Sequence, residues 1–265
     1  MHPFKYHRPS NVNDAVQLAA KGVDHKLLAG GQSLVQAMKL RLASPSDIID
    51  LSEVPDLAGI KVSGSEVSVG AMTRHRAVAN SAEVRKAIPA LAALAAQIGD
   101  RQVRAMGTLG GALAHNDPAA DYPAAVLGLG ATIVTNKRKI AADDFFKGLY
   151  ETALAQGELI TAVTFPVPRR AAYMKFKNQA SRFAIVGVFV AETPGGVRVA
   201  VTGAGSCAFR QKDMEKALSA KFSPDSVAGV KQSASGLNTD LHASAEYRAH
   251  LVTVMAKRAV EAALK

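Results

Sequence analysis

Cysteine and tryptophan are almost missing from this chain, which has one Cys, Cys207, and no Trp. A single thiol excludes an internal disulfide, a structural four-cysteine zinc site and a self-contained cysteine-ligated iron–sulfur cluster. Redox chemistry here would need an organic cofactor, or metals held by another chain. Aromatic residues make up only 5% of the sequence, and no stripe interleaves them with basic residues. The formal net charge is +10, yet the basic residues are scattered apart from Lys137-Arg138-Lys139 and Arg169-Arg170. That scatter argues against nucleic acid. It suits an anionic cofactor, an acidic partner subunit or an acidic electron acceptor. No apolar run reaches the length of a membrane span, and Met1–Tyr6 lacks the apolar core of a secretory signal. The chain is therefore expected to be cytoplasmic and not membrane-spanning.

Several motifs are missing too. There is no G-x-G-x-x-G with an acidic residue about 20 positions on, no Gly-Lys-Ser/Thr phosphate loop and no H-E-x-x-H. No Ser/His/Asp nucleophile arrangement and no paired carboxylates emerge, so no catalytic side chain and no metal ligand are assigned. Cys207 follows Gly203-Ala204-Gly205-Ser206 with no base beside it and reads as a small buried residue.

What the chain does have is two diglycine elements. The first is Leu28-Ala29-Gly30-Gly31-Gln32-Ser33-Leu34; the second is Gly107-Thr108-Leu109-Gly110-Gly111, followed by His115-Asn116-Asp117 and Asp121. Each joins glycines to a hydroxyl residue after an apolar run, a combination that lets backbone N–H groups approach an anion closely. Ser33, Thr108 and the N–H groups can serve pyrophosphate oxygens, and Asp121 or Asn116 can accept from a ribose or adenine. A dinucleotide fits this pair of loops. Thr73 ends a predicted strand and could face the same ligand. His115 reads as a hydrogen-bonding scaffold, His75 and His25 as surface residues. Asp100, Arg101 and Arg104 read as an ion-paired approach to the second loop.

With 265 residues, 48% of them hydrophobic, the chain can bury two domains. Its first stretch alternates strand and helix: Phe4–His7, a helix capped by Ser10 or Asn11, a buried strand Lys26–Ala29, a helix or helical turn Leu34–Leu42, and strand Asp47–Leu51. A hairpin follows over Gly59–Val62 and Val67–Gly70. An alanine-rich helical region spans about Ala87–Ile98, a short helix Pro123–Leu129, and strands Ala131–Thr135 and Leu159–Phe165. Pro166–Arg170 is the linker. Beyond it, Tyr173–Lys177, Ala184–Ala191 and Val197–Thr202 read as an antiparallel meander, with helices over Lys212–Ala220 and Ser244–Leu264.

Taken together, Ala29–Leu34, Gly70–Thr73, Arg104–Gly111, Asp117–Asp121, Ala184–Val188 and Asp240–Arg248 stand in the order of a known family. The chain resembles the FAD-binding medium subunit of the molybdenum hydroxylases, the xanthine dehydrogenase and aerobic carbon monoxide dehydrogenase family. The resemblance implies an α+β fold: a two-subdomain FAD-binding domain of the vanillyl-alcohol oxidase (PCMH) type over 1–168, divided at about 57/58. A C-terminal domain of antiparallel sheet plus helices would cover 171–265.

The resemblance also implies the cofactor site. Ala29, Gly30, Gly31, Gln32, Ser33 and Leu34, with Gly107, Thr108, Gly110 and Gly111, would hold the FAD pyrophosphate. Asp121 would bind nearby, Thr73 would line the site, and Lys175 would precede the flavin-facing strand; Asn116 stays a candidate cofactor ligand on its own position beside the second loop. Molybdenum cofactor and [2Fe–2S] clusters would belong to a large and a small partner subunit, assembled as a dimer of heterotrimers. One departure stands out: where the family commonly has an arginine and then an aspartate before Phe-Ala-Ile-Val, this chain has Gln179 and Arg182. A self-sufficient flavin oxidase or reductase is the competing reading, and a binding module whose glycine loops are only turns is the third.

Overall fold

Short apolar runs near the N-terminus pair side by side. In the computed structural model, which describes residues 1–265, Asp47–Asp50 is the central strand of a parallel sheet between Lys5–His7 and His25–Leu28. Parallel neighbours need crossovers. Helix Val12–Ala20 supplies one, its first turn capped by Asn11, which accepts from the Asp14 N–H at 2.9 Å. The chain between the other two strands carries the first diglycine loop and the helix Leu34–Lys39.

The middle of the chain forms a five-stranded antiparallel sheet. Its order is Ile60–Ser63, Glu66–Gly70, Ile160–Pro166, Thr132–Thr135, Lys139–Ala141. Val67, Val69, Ile133, Val163 and Phe165 alternate along these strands and point into one core with Leu109, Leu113 and Leu129. The alanine-rich region expected as one helix is two, Ala82–Ala87 and Pro89–Ala96, broken at Ile88. Pro89 disfavours helical backbone in the residue before it and then starts the next helix well.

The C-terminal meander is Arg170–Lys177, Ala184–Thr193, Gly196–Thr202 and the short Phe209–Arg210. Its longest strand reads as a continuous apolar run because both faces are covered. Val186, Val188 and Val190 pack with the long helix Ala245–Ala263, whereas Phe189 and Ala191 join the core of the middle sheet. All eight residues of helix Tyr122–Leu129 are buried along this seam. The architecture is α+β, as expected.

Candidate functional site

The two diglycine loops touch. A Cβ on Gly30 would lie 2.2 Å from the Met106 carbonyl oxygen and 2.7 Å from Gly107 Cα, so only glycine lets the backbones meet. They form part of the wall of a cavity of about 740 Å³ that also takes in residues from the middle sheet and the C-terminal meander. Ala29, Gly30, Gly31, Gln32, Ser33 and Leu34 line it, together with Gly107, Thr108, Gly110, Gly111 and Asp121.

The loops differ in what they leave free. The N–H groups of Gly30, Gly31, Gln32, Ser33 and Leu34 find no acceptor anywhere in the chain, and neither does the Ser33 hydroxyl find a partner. Five successive free donors make a concave anion site. At the second loop, Leu109 N–H is bonded to Thr73 O at 3.1 Å and Gly110 N–H to Ala71 O at 2.8 Å. Gly111 N–H is bonded to the Thr108 side chain at 3.2 Å, capping helix Leu109–His115. Of that loop, Thr108 keeps its N–H unbonded.

Asp121 opens a buried cluster at the seam. The Tyr173 hydroxyl donates to it at 2.5 Å, and Lys175 Nζ sits 2.9 Å from its Oδ1. Burial pushes the Asp121 carboxyl above its usual range, against the pull of Lys175 and Tyr173. Burial and the Asp121 charge hold the Tyr173 hydroxyl well above its ordinary value, so it stays a donor. Lys175 spends its other protons on the carbonyls of Gln97 and Arg182, each at 3.0 Å. Gly187 makes room for this cluster: a Cβ there would fall 2.2 Å from the Tyr173 oxygen.

Other expected residues stand elsewhere. Thr73 is off the cavity wall, its hydroxyl exchanging hydrogen bonds of 2.9 Å with the N–H and carbonyl of Gly59. Asn116 is fully buried, also off the wall, and in left-handed backbone (φ 47°). It donates to the carbonyls of Gly148 and Glu151 at 2.9 and 2.7 Å, tying down the turn that carries Tyr150. Lys175 stands behind the wall, not on it. The expected ion pairing around Asp100 does not form. Asp100 caps helix Arg101–Met106 through the Val103 N–H, and Arg104 donates to the carbonyls of Ile98 and Gly99.

His75 is not a surface residue. It lies buried on the cavity wall, its ring 5.3 Å from that of Tyr122. Burial, reinforced by Arg104, lowers its pKa to about 4. His25 is also largely covered: its Nδ1 meets Leu18 O at 2.7 Å, and its Nε2 faces Asp47 at 3.4 Å. Sequence reading missed Tyr122, Tyr150 and Glu158 on the wall. Glu158 is held down to about 2, chiefly by Arg138, so it stays ionised and engaged.

Comparison with known proteins decides the family. Residues 2–168 match the model of the FAD binding domain in molybdopterin dehydrogenase. The chain belongs to that family. It is 37% identical to the nicotine 6-hydroxylase medium subunit of Paenarthrobacter nicotinovorans, over 97% of this chain and 96% of that one. It is 36% identical to the carbon monoxide dehydrogenase medium chain of Afipia carboxidovorans, over 98% and 96%. In structure it matches a chain of carbon monoxide dehydrogenase from Hydrogenophaga pseudoflava with a TM-score of 0.90 at 36% identity, covering 100% and 99% of the two chains. A chain of quinoline 2-oxidoreductase from Pseudomonas putida 86 gives 0.90 at 30% identity, covering 99% and 97%.

Membership makes the chain an FAD-binding subunit of the molybdenum hydroxylases, oxidoreductases that act as complexes. The cavity suits that cofactor. Its volume falls in the range of cofactor clefts, its wall is rich in apolar residues, and one run of successive backbone donors stands free on it. The single cysteine accords with iron–sulfur clusters borne by partner chains. No helix is long and apolar enough to cross a membrane.

Proposed function

We propose that this chain carries FAD as the electron-transfer subunit of a heteromeric molybdenum hydroxylase, passing electrons from [2Fe–2S] clusters on a partner subunit to an external acceptor. The five free N–H groups of Gly30–Leu34 carry the placement: they receive the pyrophosphate, with the Ser33 hydroxyl and the Thr108 N–H beside them. Ala29, Gly107, Gly110 and Gly111 let that seat form by close packing. Asp121 marks the seam end of the cavity, where the isoalloxazine would lie against the C-terminal domain, and Lys175 sets its position.

FAD supplies the redox chemistry when bound; the protein binds, orients and tunes it. On the wall, His115 makes no hydrogen bond and so is no hydrogen-bonding scaffold; its ring lies 5.0 Å from that of Tyr150. Asp121 and Glu158 are paired, and His75 stays neutral at physiological pH. The arrangement is of the vanillyl-alcohol oxidase type, with domains over 1–168 and 171–265. The partners are a molybdenum-binding large subunit and an iron–sulfur small subunit, in a cytoplasmic dimer of heterotrimers.

Purification of the chain alone, with its visible spectrum and acid-released cofactor, tests this reading. Bound FAD without substrate turnover, and co-purification of molybdenum and iron–sulfur chains on co-expression, support it. Turnover by the isolated chain would favour a self-sufficient oxidase, and a colourless chain that ignores added FAD would sink both.

A further inference from the structure

Two buried side-chain atoms on residues of the cavity wall find no hydrogen-bond partner in the chain: Nδ1 of His75 and the hydroxyl of Tyr122. The residues are 4% and 1% exposed, and their rings stand 5.3 Å apart at 52°. A buried polar group without a partner forfeits its hydration and gains nothing in return, so native interiors leave few of them. Two side by side on one wall mark a place that a ligand completes. Both residues open a helix, His75–Asn80 and Tyr122–Leu129. The His75 N–H donates to the Gly107 carbonyl at 2.9 Å, and a Cβ on Gly107 would fall 2.5 Å from Nε2 of the ring. A glycine of the second loop thus seats the imidazole, while Tyr122 directly follows Asp121 at the seam.

What the pair offers is uncharged. A neutral imidazole has one N–H donor and one acceptor nitrogen, and a phenol both donates and accepts. Burial and Arg104 keep His75 neutral, with its pKa lowered to about 4. Burial and the Asp121 charge hold the Tyr122 hydroxyl well above its usual range, so it keeps its proton. A phosphate calls for cations or a run of N–H groups, which the first loop provides. A neutral edge that alternates C=O and N–H suits His75 and Tyr122 instead. The pyrimidine edge of the isoalloxazine, with C2=O, N3–H and C4=O, is such an edge.

We propose that His75 and Tyr122 bind the pyrimidine edge of the flavin ring, the Tyr122 hydroxyl donating to one of its carbonyl oxygens. The proposal rests on the chain holding FAD with its ring at the seam. It adds to that reading a pair of groups that orients the ring and tunes it. Reduction puts electron density onto the flavin carbonyls, and a hydrogen bond strengthens as its acceptor becomes more negative. Tyr122 therefore raises the flavin potential by donating a hydrogen bond, without giving up its proton. Its neighbour Asp121 is already engaged by Tyr173 and Lys175.

The experiment uses the full chain loaded with FAD that carries carbon-13 at C2 and C4, so that infrared difference spectra isolate the two ring carbonyls from adenine and protein. The flavin potential and the FAD dissociation constant are measured on the same samples. Tyr122→Phe removes only the hydroxyl. It should raise the frequency of one carbonyl band, lower the potential, and weaken binding of reduced FAD about tenfold but of oxidised FAD only about threefold. It should not lower the Tm of the cofactor-free chain, where the hydroxyl has no partner. His75→Leu should also move the carbonyl bands, and His75→Asn, which keeps a polar atom near the place of Nδ1, should restore most of that change; these two variants decide the matter if Tyr122→Phe does not fold. Full FAD content with unchanged bands and an unchanged potential in Tyr122→Phe and His75→Leu would put a water or the adenine at the pair. That would overturn the proposal while leaving the FAD reading intact. A wild-type chain that takes up no FAD would overturn the FAD reading, and this proposal with it.

Discussion

At Gly30–Leu34 five successive N–H groups find no acceptor, whereas at Leu109–Gly111 three successive N–H groups are bonded to Thr73, Ala71 and Thr108. The two segments look alike in sequence, each a glycine pair beside a hydroxyl residue. In the first, the glycines let the chain leave its donors open. In the second, they let a helix head press onto the end of a strand: a Cβ on Gly110 would meet that of Ala71 at 2.5 Å. The same contrast continues outward. Behind the second loop, Asp121, Lys175 and Asn116 are engaged within the protein, so that side of the cavity is a scaffold and the first loop is the receptor.

The strongest way to break this contrast is to attack the scaffold. Lys175→Met leaves Asp121 buried without its cation and should cost about 3–5 kcal/mol in urea unfolding of the cofactor-free chain. Acid comes next. His75 binds a proton near pH 6.5 when unfolded but only near 4 when folded, so stability is complete above 6.5 and falls as pH drops from 6.5 towards 4. The loss should be about 3 kcal/mol, and His75→Phe should flatten that part of the pH profile. Gly110→Ala should cost about 2 kcal/mol by overpacking, read as a lowered Tm before any cofactor is added. The smallest effects separate the two loops most cleanly. Thr108→Ala should lose about 1 kcal/mol of stability with its helix cap. Ser33→Ala, whose hydroxyl caps nothing, should leave stability within about 0.5 kcal/mol while weakening FAD binding several-fold in a fluorescence titration. Equal stability losses at Thr108 and Ser33 would end the distinction between receptor and scaffold.

Much of the fold could be read from local pattern. The strands around Ile48, Val69, Ile133 and Val188 announce themselves as β-branched runs, and Asn11 and Ser244 mark helix starts. The first loop was legible because glycine, serine and a preceding strand coincide within seven residues. What failed depended on distant partners. Thr73 follows the strand, where alternation no longer assigns a face, and Gly59 claims it. Asn116 is claimed by carbonyls more than thirty residues away. His75 stood between two arginines and read as exposed. Its spacing to Val78 and Ala79, three and four residues on, carried the signal of a buried helix face.

The helix Tyr122–Leu129 has a consequence for how the chain can be divided. It belongs by sequence to the matched region 2–168, yet the meander that follows forms part of its cover. A fragment ending near Pro168 would present that apolar helix to water, together with the open side of Asp121. The covalent boundary at the linker is therefore not a folding boundary. Both halves should melt in one cooperative transition, and neither should be inherited, swapped or trimmed without the other.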